Sequence, residues 1–408
     1  MTNPIISKTW FRLAISNLVL IALYGTLMRY KIAFNFPFLE QKNLLHAHSH
    51  FAFSGWISHF LYSGLAVLAA SHIPVAKQKS LRTLVVINLV SAFGMLLAFT
   101  VQGYGAVSIS FSTLSIVVAF AYALIFIRST KYFPTTHPSK PWAIMALLLN
   151  LVSAAGPFSL AYMMATKNID HHIYLGSVYY YLHFQYSGWF FFGSMALVVA
   201  QLPASFPSLK RYFPFFAATV IPTFFLSVLW ARLPAWVYIL TVIATLLQLF
   251  AWLVMAIKVA AAFRQQGTAA FSRPAHLFFI AAAVALTIKF LLQAVSVIPS
   301  LSQLVFGIRP IVIAYLHLVL LGVYSLFIIG YLFMQGWLRP TKAAVGASLA
   351  FLAGVVLNEG LLGLQGFAAF SYLPVPFINE LLLGAALLLL GSSVFLFASQ
   401  AGKDPVRN

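Results

Sequence analysis

Residues 50–56 read His50-Phe51-Ala52-Phe53-Ser54-Gly55-Trp56. The pattern returns as His183-Phe184-Gln185-Tyr186-Ser187-Gly188-Trp189. It returns again, reduced to its histidine and glycine, as His317-Leu318-Val319-Leu320-Leu321-Gly322-Val323. The starting histidines are 133 and 134 residues apart, and the first two copies share five of seven residues. A repeat of fixed period sets the architecture before any single residue does. It divides the chain into three related blocks, about 1–135, 136–270 and 271–400, each carrying one histidine-bearing segment.

Composition sets the environment of those blocks. The chain is 62% hydrophobic and 7% charged, with a mean hydropathy of +0.95, where a soluble domain carries about 25% charged residues. Apolar stretches longer than about 18 residues read as membrane spans. Twelve are visible: 10–32, 45–70, 83–102, 106–127, 142–165, 174–200, 213–231, 235–258, 276–298, 310–333, 342–368 and 376–400. The expected fold is therefore all-α: a single polytopic membrane domain over 1–408, its twelve transmembrane helices in a pseudo-threefold, three-by-four arrangement. The motif histidines fall on helices 2, 6 and 10.

The net charge of +19 follows topology rather than a nucleic-acid partner. With the N-terminus placed in the cytoplasm, Arg29, Lys31, Lys42, Lys167, Arg232 and Arg309 fall in outer loops and Lys289 inside helix 9. Seventeen of the twenty-four Lys and Arg remain on the cytoplasmic side. That is the positive-inside bias. It predicts an inner-membrane protein with the lipid bilayer as its partner and both termini cytoplasmic. Helix 1 carries no cleavage-site signature and reads as a retained span. Zero cysteines exclude disulfides, thiolate metal sites, iron–sulfur clusters and covalently attached c-type haem.

Helices 2, 6 and 10 all enter from the outer face. His50, His183 and His317 then lie about 10 Å deep, at 1.5 Å per residue, in one outer layer. Ionisable groups inside a membrane are costly and mark function by default. His46 and His50 share a helix face and His48 points nearly opposite, because successive side chains turn by about 100°. His59 returns to the face of His48, deeper in the membrane. His171 and His172 read either as a second metal site near the outer surface or as an ordinary polar loop. His72, His137 and His276 fall on the cytoplasmic side, which leaves eight of the eleven histidines in or near the outer half. Of the five carboxylates, only Glu359 is plainly within a span. Glu359 and Lys289 are the candidate proton-path residues, Lys289 sharing a polar face with Gln293.

This layout resembles the catalytic subunit of the haem–copper oxidase superfamily. The His46-Ala47-His48…Gly55-Trp56 run is similar to that of C-type oxidase-like subunits. It is similar also to the NnrS family of haem- and copper-containing membrane proteins linked to nitric oxide stress, whose later His-x4-Gly patterns Leu316-His317…Gly322 matches. The resemblance implies a b-type haem held by His50 or His48 together with His317, and His183 as a copper ligand. The cofactor-binding set is then His48, His50, His183 and His317, and the metal set His46, His50, His183 and His317. It also implies an oxidoreductase or electron carrier with nitric oxide or dioxygen as its gas ligand. The sequence departs from the oxidase pattern in three places. Helix 10 lacks a His-x-His pair, helix 7 lacks a His-His pair, and helix 6 lacks the His-Pro-x-x-Tyr form. One bis-histidine haem fits this inventory better than four-electron oxygen reduction does. Ligation by His317 alone would leave the sixth position open to a gas. The contrasting reading is a histidine-lined metal or small-solute permease without haem.

Overall fold

Long runs of leucine, alanine, valine and phenylalanine can satisfy their backbone in a bilayer only as helices or closed barrels. Every span here takes the helical solution. The computed structural model describes residues 8–203, 206–231, 233–266, 271–301 and 308–401; Arg232, Lys403, Asp404 and Arg407 lie outside them. The helices are α1 (Lys8–Ala33), α2 (Gln41–Ala70), α3 (Val75–Gln102), α4 (Ala106–Ser129), α5 (Lys140–Thr166) and α6 (171–201). They continue with α7 (Phe213–Thr219 and the 3-10 turn Pro222–Val228), α8 (Ala235–Gln266), α9 (Arg273–Ser296), α10 (Arg309–Met334), α11 (Lys342–Phe370) and α12 (Ile378–Ala398). No strand occurs among the described residues.

Ten of these helices are long and apolar enough to cross a membrane, or eleven if the two halves of α7, bent by 48°, form one span. The protein is a polytopic helical membrane protein. α6 is not among the ten: His183, Gln185 and its tyrosines and serines dilute the apolar run. α7, expected as one stretch, breaks because Pro222 brings no N–H to the helix. α3 starts at Val75, earlier than its apolar pattern suggests, since Lys77, Lys79 and Arg82 ride on its exposed first turns.

Each helix packs on its neighbours in sequence, and α12 lies along α1, where Thr26 Oγ1 donates to the Ala386 carbonyl at 3.1 Å. α2 is almost wholly enclosed. Residues 52–66 of α2, 183–197 of α6 and 322–333 of α10 are buried without interruption. Three hydrogen bonds join these helices: Trp189 Nε1 to Ser58 Oγ (2.9 Å), Trp56 Nε1 to Ser325 Oγ (3.0 Å), and Tyr324 OH to the Tyr186 carbonyl. They pass from α6 to α2, from α2 to α10, and from α10 back to α6.

Each motif also carries the same backbone irregularity. A π-helical turn follows each histidine: Ala52–Ser58 in α2, Phe184–Trp189 in α6 and Leu318–Ser325 in α10. Such turns are rare and concentrate at functional sites. In α2 the His59 N–H passes over the Gly55 carbonyl to bond Ser54 O, and Asn17 Nδ2 of α1 takes Gly55 O at 2.6 Å. In α6 the Phe190 N–H reaches Gln185 O, and the bypassed Tyr186 carbonyl accepts Tyr324 OH. The motif glycines allow close packing on the outer side of two of these turns. A Cβ on Gly188 would stand 2.9 Å from Leu149 Cβ of α5, and one on Gly322 would stand 3.2 Å from Ala285 Cβ of α9.

Interhelical hydrogen bonds in membranes couple by about 0.6 kcal/mol on average and up to about 1.7 kcal/mol. A double-mutant cycle of Trp189→Phe with Ser58→Ala, read by detergent unfolding, is expected at the upper end of that range. A coupling near zero would show that packing alone joins α6 to α2.

Candidate functional site

The π turns leave the histidines before them on ordinary α-helix, so the sequence rule for facing sides applies. His48 points to α1, where its Cε1 lies 3.5 Å from the position of a Cβ on Gly25, and Ile21 brings a backbone carbonyl to the same ring. Its Nδ1 is buried without a partner among the described residues. His46 and His50 point the other way. His50 stacks on Phe99 (centroids 4.4 Å, planes 11° apart), and both rings pack around Tyr104. The opposed faces expected from the spacing are those observed.

His317 comes to His48 from across the bundle. The two imidazoles lie within electrostatic reach of each other, and Arg29 of α1 lies within reach of His317. His317 Nδ1 donates to the Ile313 carbonyl at 2.8 Å, which fixes its tautomer and leaves the Nε2 lone pair as its ligating atom. Residues 311–318 are half-buried, whereas the helix beyond them is closed. His48, His317 and Arg29 therefore lie toward the same end of α2, α10 and α1, with His317 within electrostatic reach of the other two. Arg29 was read in the sequence only as a loop charge.

His183 belongs to a different group. The break in α7 frees the Val220 carbonyl, and His183 Nε2 donates to it at 2.8 Å; its Nδ1 is buried and has no partner among the described residues. Lys289 of α9 lies within electrostatic reach of His183, is only 3% exposed, and donates to Ser187 Oγ at 3.1 Å. Its Nζ sits 4.4 Å from the Phe290 ring centroid and 5.9 Å from that of Tyr186. Tyr315 and Tyr324 close the group from α10, with the Tyr186 and Tyr315 rings 6.0 Å apart. Glu359, the other proton-path candidate, takes its bond from Asn358 on its own helix (3.1 Å). It is not joined to Lys289.

The remaining histidines are separate again. His59 is fully buried beside Trp10 (centroids 6.0 Å), whose backbone carbonyl is within reach of its ring. His172 stacks on Trp230 (5.5 Å, 23°) in an open groove of about 560 Å3 at the start of α6. Asp170 caps that helix: the Ile173 N–H, 2.9 Å away, holds its carboxyl below the usual carboxylate range. His72 and His137 meet on the loops that follow α2 and α4, 5.2 Å between centroids. No three His, Asp or Glu side chains gather around one point among the described residues. The histidines expected to share a metal are thus divided: His46 with His50, His317 with His48, and His183 alone beside a lysine.

Sequence reading passed over Tyr104, on the Gly103–Gly105 hairpin, and the Trp–Ser bonds of the centre. The Trp–Ser bonds had a signal: tryptophan recurs six places after the histidine in two copies, and serine eight places after it in two copies. No protein-family profile and no characterised protein matches this chain.

Two outcomes follow from the burial of these groups. Burial of an amine without a carboxylate is costly. Lys289→Met, which keeps the volume, is expected to raise stability by about 1–4 kcal/mol, the scale seen when buried charges give way to packed apolar side chains; a lower melting temperature would show that the Ser187 bond holds the fold. Burial, and then His72, keeps the His137 imidazole below its ordinary range. The unfolded chain takes up a proton below about pH 6.5 that the folded chain resists, so stability falls as pH falls through that point. His137→Gln should reduce the slope of melting temperature against pH between 7.5 and 5.5.

Proposed function

We propose that this chain is a membrane redox protein of the haem–copper oxidase type, holding one b-type haem between His48 of α2 and His317 of α10. The observation that carries this reading is the convergence of those two imidazoles. His317 has its Nδ1 proton committed to a carbonyl, His48 rests against a glycine, and Arg29 lies within electrostatic reach of His317. This is the arrangement a ligating histidine needs, with its second nitrogen oriented by the backbone. Gly25 leaves space that any side chain would fill, and Arg29 offers the planar cation that pairs with carboxylates such as haem propionates. A haem bound by two imidazoles would supply reversible one-electron chemistry.

The protein's own residues do the rest. His48 and His317 orient and bind, Arg29 balances charge, and Phe51, Trp56 and Phe60, all nearly fully buried, exclude water from the inner side. Electron transfer linked to nitric oxide or dioxygen is the role this suits. Copper fits less well: His183 has one available nitrogen, a lysine for a neighbour and no second imidazole. The cyclic order of the bonds among α2, α6 and α10 supports a twelve-span, pseudo-threefold bundle. The distribution of Lys and Arg supports an inner-membrane location with both termini cytoplasmic. A permease would want an open path where those three helices meet; Trp56, Trp189, Phe190 and Tyr324 fill that place.

A reduced-minus-oxidised spectrum with a pyridine haemochrome assay tests the proposal. Wild type should show sharp Soret and alpha bands, lost in His48→Ala and in His317→Ala and weakened in Gly25→Val. His50→Ala should keep them. A colourless protein from haem-replete cells would sink the reading and favour the permease.

A further inference from the structure

The face of α2 opposite His48 carries a second set of donors that the haem reading does not use. His46 and His50 stand one helical turn apart on the unbroken α-helical stretch Gln41–Phe51. Side chains at that spacing lie about 5–6 Å apart at Cβ, the spacing by which two histidines of one helix share a zinc ion. Tyr104 faces both from the α3–α4 hairpin. Its ring lies 4.6 Å from that of His46, edge to face, and its hydroxyl oxygen lies 3.3 Å from His50 Nε2. That separation is long for a hydrogen bond to a hydroxyl. It matches the distance between two ligand atoms on a tetrahedral ion with bonds of about 2.0–2.1 Å, roughly 3.3–3.4 Å.

Two further observations point to an ion. His46 Nε2 is buried and has no hydrogen-bond partner among the described residues, a costly state for an imidazole nitrogen. The rings are already held in place: Phe99 stacks on His50 and lies 6.1 Å from His46. The Gly103 turn that presents Tyr104 is left-handed (φ 62°), and a Cβ there would strike Asn43. Tyr104 is 43% exposed, so the group is open to ions at the outer mouth of α2. We infer that His46, His50 and Tyr104 form a binding site for a borderline divalent ion such as Zn2+, separate from the His48–His317 pair, with water in the fourth position. Both imidazoles bind as neutral ligands and the phenol gives its proton to solvent, so affinity rises with pH. Lys42, within electrostatic reach of His46, opposes binding.

The test uses the full-length protein in detergent, stripped with chelator and titrated with Zn2+, with bound metal counted by elemental analysis and Co2+ added as a spectroscopic substitute. Wild type is expected to retain one equivalent that depends on this site and to give the intense visible absorption of tetrahedral Co2+. His46→Ala and His50→Ala should each lose that equivalent. Tyr104→Phe, at a partly exposed position, should bind at least about 10-fold more weakly, and Lys42→Gln should bind tighter. His48→Ala should keep the ion, which separates this site from the haem reading. Failure of wild type to bind Zn2+ at micromolar concentration would overturn the inference. So would equal retention by wild type, Tyr104→Phe and the His46→Ala/His50→Ala pair.

Discussion

A backbone carbonyl inside a bilayer has no water to turn to, and each π turn withdraws one from its helix. In α2 the bypassed Gly55 oxygen is taken by Asn17; in α6 the bypassed Tyr186 oxygen is taken by Tyr324. Each repair comes from another helix, so the irregularity that unsettles one helix ties it to a neighbour. Asn88 of α3 adds a bond to the Ser54 oxygen beside the first turn. The positions of α1, α3 and α10 follow from these obligations as much as from apolar packing, which is weakly directional among lipid-like side chains.

The same logic explains where the chemistry sits. A free carbonyl is created by the break in α7, and it orders His183; an ordinary helical carbonyl, Ile313, orders His317. In both cases the backbone sets which nitrogen carries the proton, and hence which one can act. Lys289 is the contrasting case, an amine met among the described residues by the Ser187 hydroxyl and by aromatic faces. Such a group is kept at a cost to stability, which sets it apart from the packing residues around it.

Much of this could be read along the chain. The 133- and 134-residue spacing located three helices that do meet, and the 100° rule placed His48 opposite His46 and His50, and His59 back on the α1 side with His48. Other features had no local signature. Nothing in Ala52–Ser58 distinguishes a π turn from an α one, because the decision rests with Asn17 and Asn88, both more than thirty residues away. Tyr104 looked like a loop residue since its meaning depends on a hairpin folding back over α2. The break in α7 was signalled by Pro222, yet the apolar run 213–231 masked it. Which histidines share a site depended on neighbours from α1, α7 and α10, and spacing within one helix cannot supply those.

A π turn is one residue more than the α-helix around it can hold. In each of the three helices the histidine lies before the turn, and the tryptophans and serines that join the helices lie within it. Removing a single residue from such a turn would restore a regular helix and return the bypassed carbonyl to it, leaving Asn17 without its acceptor in α2 and Tyr324 without its acceptor in α6. The interior of these three helices is therefore fixed in length as well as in composition. Insertions and deletions among relatives should gather in the loops and stay out of 50–58, 183–191 and 317–325.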